Sequence, residues 1–231
     1  MRIATVTWLA LRELWISFRL LVLLGAVLAG GIAGALLPEV TVDPELLAIG
    51  LASASVLLGG MSARTLARER RRGTAAWLAV SGVPRATVVL AWLGAFSVPI
   101  IVGGAGASVL GWLSSAVQLP PPIDPLSYAA IAASAVAGVL VVVTFGFALG
   151  AILPALPATV LAIVLAAAIS ASGLLTTSNP PLLPTAGFGL LASPSALERP
   201  LADGLSALGL AAATTAVLIV LAAAFLESTD L

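Results

Sequence analysis

The stretch ARERRRGTAAWLAVSGVPR, residues 67–85, concentrates cationic side chains in a chain that is otherwise short of charge. Its left end continues a helix, because Arg64 and Arg68 are i,i+4 neighbours and Ala67 to Arg72 contain no breaker. Gly73 interrupts that helix. Thr74 then supplies an N-cap for a short helix, Ala75 to Ser81, which stops at Gly82 with Pro84 two residues on. Trp77, Leu78 and Val80 are its apolar side chains, and such a group is costly in water unless lipid or a protein partner covers it. From Ala86 onward the sequence is apolar again, so residues 64–85 read as a charged connector between two hydrophobic spans.

The composition of the whole chain decides the class. Of 231 residues, 61% are hydrophobic and 9% charged, whereas a soluble domain carries about 25% charged residues; the mean hydropathy is +1.18. The expectation is an all-α, polytopic membrane protein forming a single transmembrane unit over residues 1–231. With no cysteine and no histidine, disulfides, thiol nucleophiles and Cys- or His-ligated metals are excluded. No small-residue cleavage site follows a short apolar core near the N-terminus, so no removed signal peptide is expected.

A span needs about 20 apolar residues to cross the hydrocarbon layer, and six segments qualify: about 20–37, 45–63, 86–113, 127–153, 158–175 and 204–226. Pro99 predicts a kink in the third, and only LPALP separates the fourth from the fifth. An even number of crossings puts both termini on one face.

Orientation follows from the arginines. With the N-terminus in the cytosol, every arginine except Arg199 lies inside, a strong positive-inside bias. Asp43–Pro44 and Asp124–Pro125 each place an N-cap before a proline at the first helical position, so the second and fourth spans start on the outer side. These two independent signals agree on a multi-pass protein of the plasma membrane with cytoplasmic termini.

Residues 1–19, MRIATVTWLALRELWISFR, form an amphipathic pattern. On a helical wheel Trp8, Leu11, Leu14, Trp15 and Phe18 share a face, with Arg2, Thr5, Arg12, Glu13 and Arg19 opposite; Leu9 and Ile16 break the pattern. Two readings remain open, an interfacial helix with its tryptophans at headgroup depth or an ordinary lead-in to a span. At the other end of the chain, the proline-rich segment 176–203 forbids one continuous helix, yet LLPTAGFGLLA is too apolar for a solvated loop.

The run RERRRGTAAWLAVSGVPRATVVLAWLGA resembles the cytoplasmic loop between the second and third spans of type-2 ATP-binding-cassette permeases, the membrane subunits of a large group of exporters. The matching features are Glu69 within a basic helix end, Gly73–Thr74, the short apolar helix, and Val83–Pro84–Arg85 before the next span. Where the family usually has a Gly-Lys pair, this chain has Ala91–Trp92. The N-terminal helix, the six spans and the outer segment between spans five and six extend the resemblance weakly over the whole chain.

The resemblance implies a permease working as a homo- or heterodimer, each copy docked to a separate cytoplasmic ATPase subunit. The helix after Gly73 becomes the coupling helix gripped by that ATPase. Arg68, Glu69, Arg70, Arg71, Arg72, Gly73, Thr74, Trp77, Leu78, Pro84 and Arg85 form the docking surface, while Trp8, Arg12, Trp15 and Arg19 mark the interfacial helix. The resemblance also implies that segment 176–203 forms short re-entrant helices, where a packed outer lid is the competing arrangement. No catalytic residue, metal or cofactor is expected on this chain; ATP and magnesium belong to the ATPase. Beyond that ATPase and a second permease, the lipid bilayer is the expected partner, and nucleic acid is not.

Rival classes remain open. The chain has no G-x-x-x-x-G-K-[ST] loop to cradle phosphates, and an intramembrane enzyme would need buried catalytic groups that the spans lack. An ion-coupled secondary carrier usually keeps ionisable residues near the midplane, and none is found there, although carbonyls alone hold sodium in some carriers. A non-transporting membrane scaffold and a haem-exporter-type membrane subunit are also compatible with six spans, the latter normally with a more acidic loop. The glycine pairs Gly30/Gly34 and Gly146/Gly150 read as sites of close helix approach. The cargo is not legible.

Overall fold

The computed structural model describes residues 3–16, 22, 24–25, 44–73, 84–118, 124–176, 182–193 and 200–228. These form α1 (Ile3–Ile16), α2 (Pro44–Arg72), α3 (Arg85–Gln118), α4 (Pro125–Ile152), α5 (Ala155–Leu175), α6 (Ala186–Ala192) and α7 (Leu201–Ser228). The architecture is all-α. Five helices, α2, α3, α4, α5 and α7, are long and apolar enough to cross a membrane, as in a multi-pass membrane protein. The expected first span, most of residues 20–37, lies outside the described residues, as do Asp43 and the Gly30/Gly34 pair.

Helix boundaries follow local chemistry. Asp124 caps α4: its carboxylate accepts from the Leu126 and Ser127 backbone N–H groups at 3.3 and 3.1 Å and from the Ser127 hydroxyl at 2.6 Å, with Pro125 in the first helical position. The fifth span starts earlier than the apolar pattern indicates, at Ala155. Pro157 sits inside its first turn, a position where a missing N–H costs no intrahelical bond. Helix α3 runs through Pro99.

The centre of the packing is α4, which touches every other described helix except α1. Its two faces are both largely buried, because it is surrounded by protein where α5 and α7 leave much of their apolar surface exposed. Phe147 of α4 meets Phe96 of α3 edge-on, with ring centroids 5.3 Å apart.

Small residues bring α2 against α4. A Cβ at Gly146 would collide with the Gly59 carbonyl and the Ser62 hydroxyl, and one at Gly150 with the Ala63 carbonyl. The Gly146/Gly150 pair thus serves a contact inside the chain. Polar links reinforce it: Ser62 Oγ donates to the Val143 carbonyl at 2.8 Å, and Ser55 Oγ lies 2.8 Å from Ser170 Oγ of α5. Such bonds hold helices together in lipid, where hydrophobicity alone provides no association.

The apolar piece of segment 176–203 forms α6. Residues Ala186 to Leu191 are all buried, and this seven-residue helix packs against α2, α4, α5 and α7. Thr185 Oγ1 donates to the Ile169 carbonyl of α5 at 3.1 Å.

Candidate functional site

The last three turns of α2 have two chemical faces. Thr65, Leu66, Ala67 and Glu69 are buried against the protein. Arg64, Arg68, Arg71 and Arg72 recur at i, i+4, i+7 and i+8, so they project along one side. Together with the turn at 154–157 and the start of α5, these four arginines line a cleft of about 520 Å³. Basic residues in the last turn also suit the negative end of the helix dipole.

Arg70 and Glu69 are turned to internal tasks. Arg70 Nη1 donates to the Ala151 carbonyl at 2.5 Å, one of the last carbonyls of α4, which have no partner within their own helix. Glu69 is only 6% exposed. Its carboxylate lies 3.4 Å from Arg72 Nη1, which is equally close to Glu13 on α1. Arg72 therefore links the end of α2 to the N-terminal helix.

Gly73 terminates α2 with φ of 73°, a left-handed conformation that L side chains adopt only at a cost, and its N–H donates to the Arg70 carbonyl at 3.2 Å. The chain is thereby turned into residues 74–83. Thr74, Trp77 and Leu78, the expected coupling-helix residues, lie outside the described residues. Pro84 is exposed just before α3, and Arg85 is the first residue of that helix.

Helix α1 packs on α3 through Ala10 and Leu14, both buried, and a Cβ at Gly94 would touch the Thr7 side chain. Trp8 and Trp15, 65% and 62% exposed, stand on the other side together with Leu9, Arg12 and Ile16. The single apolar face expected from the wheel is thus divided. Leu14 goes to protein, the tryptophans stay outside, and the two residues that broke the pattern join them. Arg19 lies outside the described residues.

Of the expected docking residues, the structure brings Arg68 to Arg72 together at one helix end. It adds three features that sequence reasoning does not assign: Arg64 as a fourth wall residue, Glu13 as a partner of Arg72, and the 154–157 turn as the facing wall. The i, i+4, i+7 spacing of Arg64, Arg68 and Arg71 is the available signal for the first; nothing local signals the other two. A second concavity of about 540 Å³, almost wholly apolar, lies between α3 and α4 and includes Trp112, Tyr128 and Leu208 of α7. Among the described residues, no three acidic side chains group as a metal site would require.

Comparison with protein-family models, curated proteins and solved structures found no match to this chain.

Proposed function

We propose that the chain is the membrane permease subunit of an ATP-driven ABC exporter, acting as one of a pair and moved by separate cytoplasmic ATPase subunits. The observation that carries this reading is the end of α2. A continuous 29-residue helix leads from the membrane into an arginine-rich terminus, is tied to α1 through Arg72 and Glu13, and is turned by Gly73 into the segment that joins it to α3. Residues 74–83, with Trp77 and Leu78, are the handle that the ATPase grips.

A pull on that handle acts on α2 and α3, the helices on either side of it. Helix α2 is bonded to α4 through Ser62 and to α5 through Ser55, so its displacement passes into the bundle as a rigid-body shift rather than being absorbed locally. In this reading the ATP chemistry, with its magnesium, belongs wholly to the partner. The chain lies in the plasma membrane with residues 64–85 and both termini in the cytosol.

The test uses the natural absence of cysteine. Single cysteines at Thr74 and Ser81 are expected to react with an impermeant thiol reagent only in inside-out vesicles. The tagged protein is expected to copurify with a P-loop ATPase, and Trp77→Ala to weaken that association. Labelling of both positions from outside, or cargo transport by the purified chain alone in vesicles, would overturn the reading.

A further inference from the structure

We propose that the cleft between the end of α2 and the start of α5 binds the phosphate headgroup of an anionic phospholipid, with the acyl chains lying along the exposed face of α5. Among the described residues, the cleft is lined by Arg64, Arg68, Arg71 and Arg72 and by no acidic side chain. Among the described residues, Arg64 and Arg71 have no carboxylate within ion-pair distance, unlike Arg72, and both are exposed. Guanidinium groups suit this task because their planar donor fork matches phosphate oxygens.

The facing wall adds to the same preference. Helix α5 begins at Ala155 without any side-chain cap, and Ala155 and Leu156, whose backbone N–H groups stand at its positive dipole end, are themselves part of the cleft wall. Concavity and charge alone fit any phosphate, soluble or lipid-borne. The apolar surface next to them selects the lipid. Leu156, on the cleft wall, is 78% exposed, and Val160 and Val164 continue from it at i+4 and i+8, also exposed. A charged pocket that opens onto an apolar helical stripe matches a molecule with an anionic head and hydrocarbon tails.

Arg68, Arg71 and Arg72 also belong to the expected docking surface, so bound lipid is read separately from the ATPase association, which residues 74–83 carry in the proposed function. The experiment compares the protein with R64Q/R71Q, with R64K/R71K, and with the charge-matched control R2Q/R12Q. Each is placed in nanodiscs of phosphatidylcholine containing a small fraction of phosphatidylglycerol, and bound lipid is measured by native mass spectrometry after release. Circular dichroism and thermal unfolding verify that each variant is folded.

The expected result is a selective loss of phosphatidylglycerol in R64Q/R71Q of roughly tenfold or more, since each interfacial arginine contributes several-fold to anionic-lipid affinity. R2Q/R12Q is expected to retain most of the binding, and R64K/R71K to fall between it and R64Q/R71Q, because an ammonium keeps the charge and loses the planar fork. Equal losses in R64Q/R71Q and R2Q/R12Q would mean diffuse charge attraction and would overturn the site. Soluble glycerol phosphate displacing the lipid at equal concentration would overturn its lipid character. Unchanged lipid binding in R64Q/R71Q, together with loss of a copurifying protein, would instead assign the cleft to a protein surface.

Discussion

Glu13 Oε1 of α1 lies 3.4 Å from Arg72 Nη1 at the end of α2, across 59 residues of sequence. Both side chains of this pair are exposed, and an exposed ion pair contributes at most about 1 kcal/mol. Glu69, at the same distance from Arg72, is buried, and a hydrogen bond to a charged group contributes about 1.5–3 kcal/mol against about 0.5–1.5 kcal/mol for a neutral one. Glu13→Gln is therefore expected to leave the thermal unfolding of the detergent-solubilised protein nearly unchanged, while Glu69→Gln lowers it clearly. Equal effects would show that the burial of Glu69 does not set its importance.

The contact between α2 and α4 predicts an asymmetry among glycines. At Gly150 an added methyl meets the backbone of Ala63, and backbone does not move aside as a side chain does. Gly150→Ala is expected to destabilise by about 1–3 kcal/mol through overpacking. Gly209 of α7 has nothing within 4 Å of an added Cβ, so Gly209→Ala is expected to be neutral or to stabilise by up to about 1 kcal/mol through helix propensity. Unfolding in denaturing detergent measures both. A Gly150→Ala protein as stable as the parent would mean that the two helices are not in close contact.

Asp124 offers a test by pH. Its carboxyl pKa is lowered from 3.8 by the Ser127 hydroxyl first and by the Leu126 and Ser127 backbone N–H groups next. A depressed folded-state pKa gives stability that is complete above the unfolded value and is lost as pH falls through the folded value. Asp124→Ala is thus expected to unfold at lower temperature than the parent at neutral pH, with the gap narrowing as the pH drops below 3.8. A gap independent of pH would show that the ionised cap is not responsible.

The parts of the fold that are legible in the sequence are those set by local chemistry. Asp124–Pro125 announces the start of α4 because cap and proline act within one turn, and the continuation of α2 to Arg72 follows from the lack of a breaker. The apolar pattern sets the start of α5 too late, because a proline reads as a boundary even where the first turn tolerates it. Long-range relations are not legible. Gly146 and Gly150 call for a small neighbour without saying that it is Gly59 or Ala63, and Glu69 among arginines reads as a surface acid until its burial is seen. The carbonyl bonded by Arg70 is 81 residues away. At the candidate site the arginine face follows from spacing, but the α5 wall opposite comes only from the fold.

Helix α1 separates packing from membrane contact, because lipid and protein both select apolar side chains and the wheel cannot divide them. Leu14 is fully buried, whereas Trp8 and Trp15 are mostly exposed. Leu14→Ala is expected to destabilise by about 2–5 kcal/mol, the cost of a cavity in a packed core. Trp8→Ala and Trp15→Ala are expected to alter stability far less. With Trp77, Trp92 and Trp112 replaced by phenylalanine, the fluorescence of the remaining two tryptophans reports depth directly. If α1 lies in the interface, lipids brominated near the headgroup quench them more strongly than lipids brominated near the chain ends. Stronger quenching by the deep bromines would place α1 within the hydrocarbon layer, and equal destabilisation by Leu14→Ala and Trp15→Ala would contradict the division of its two apolar sides.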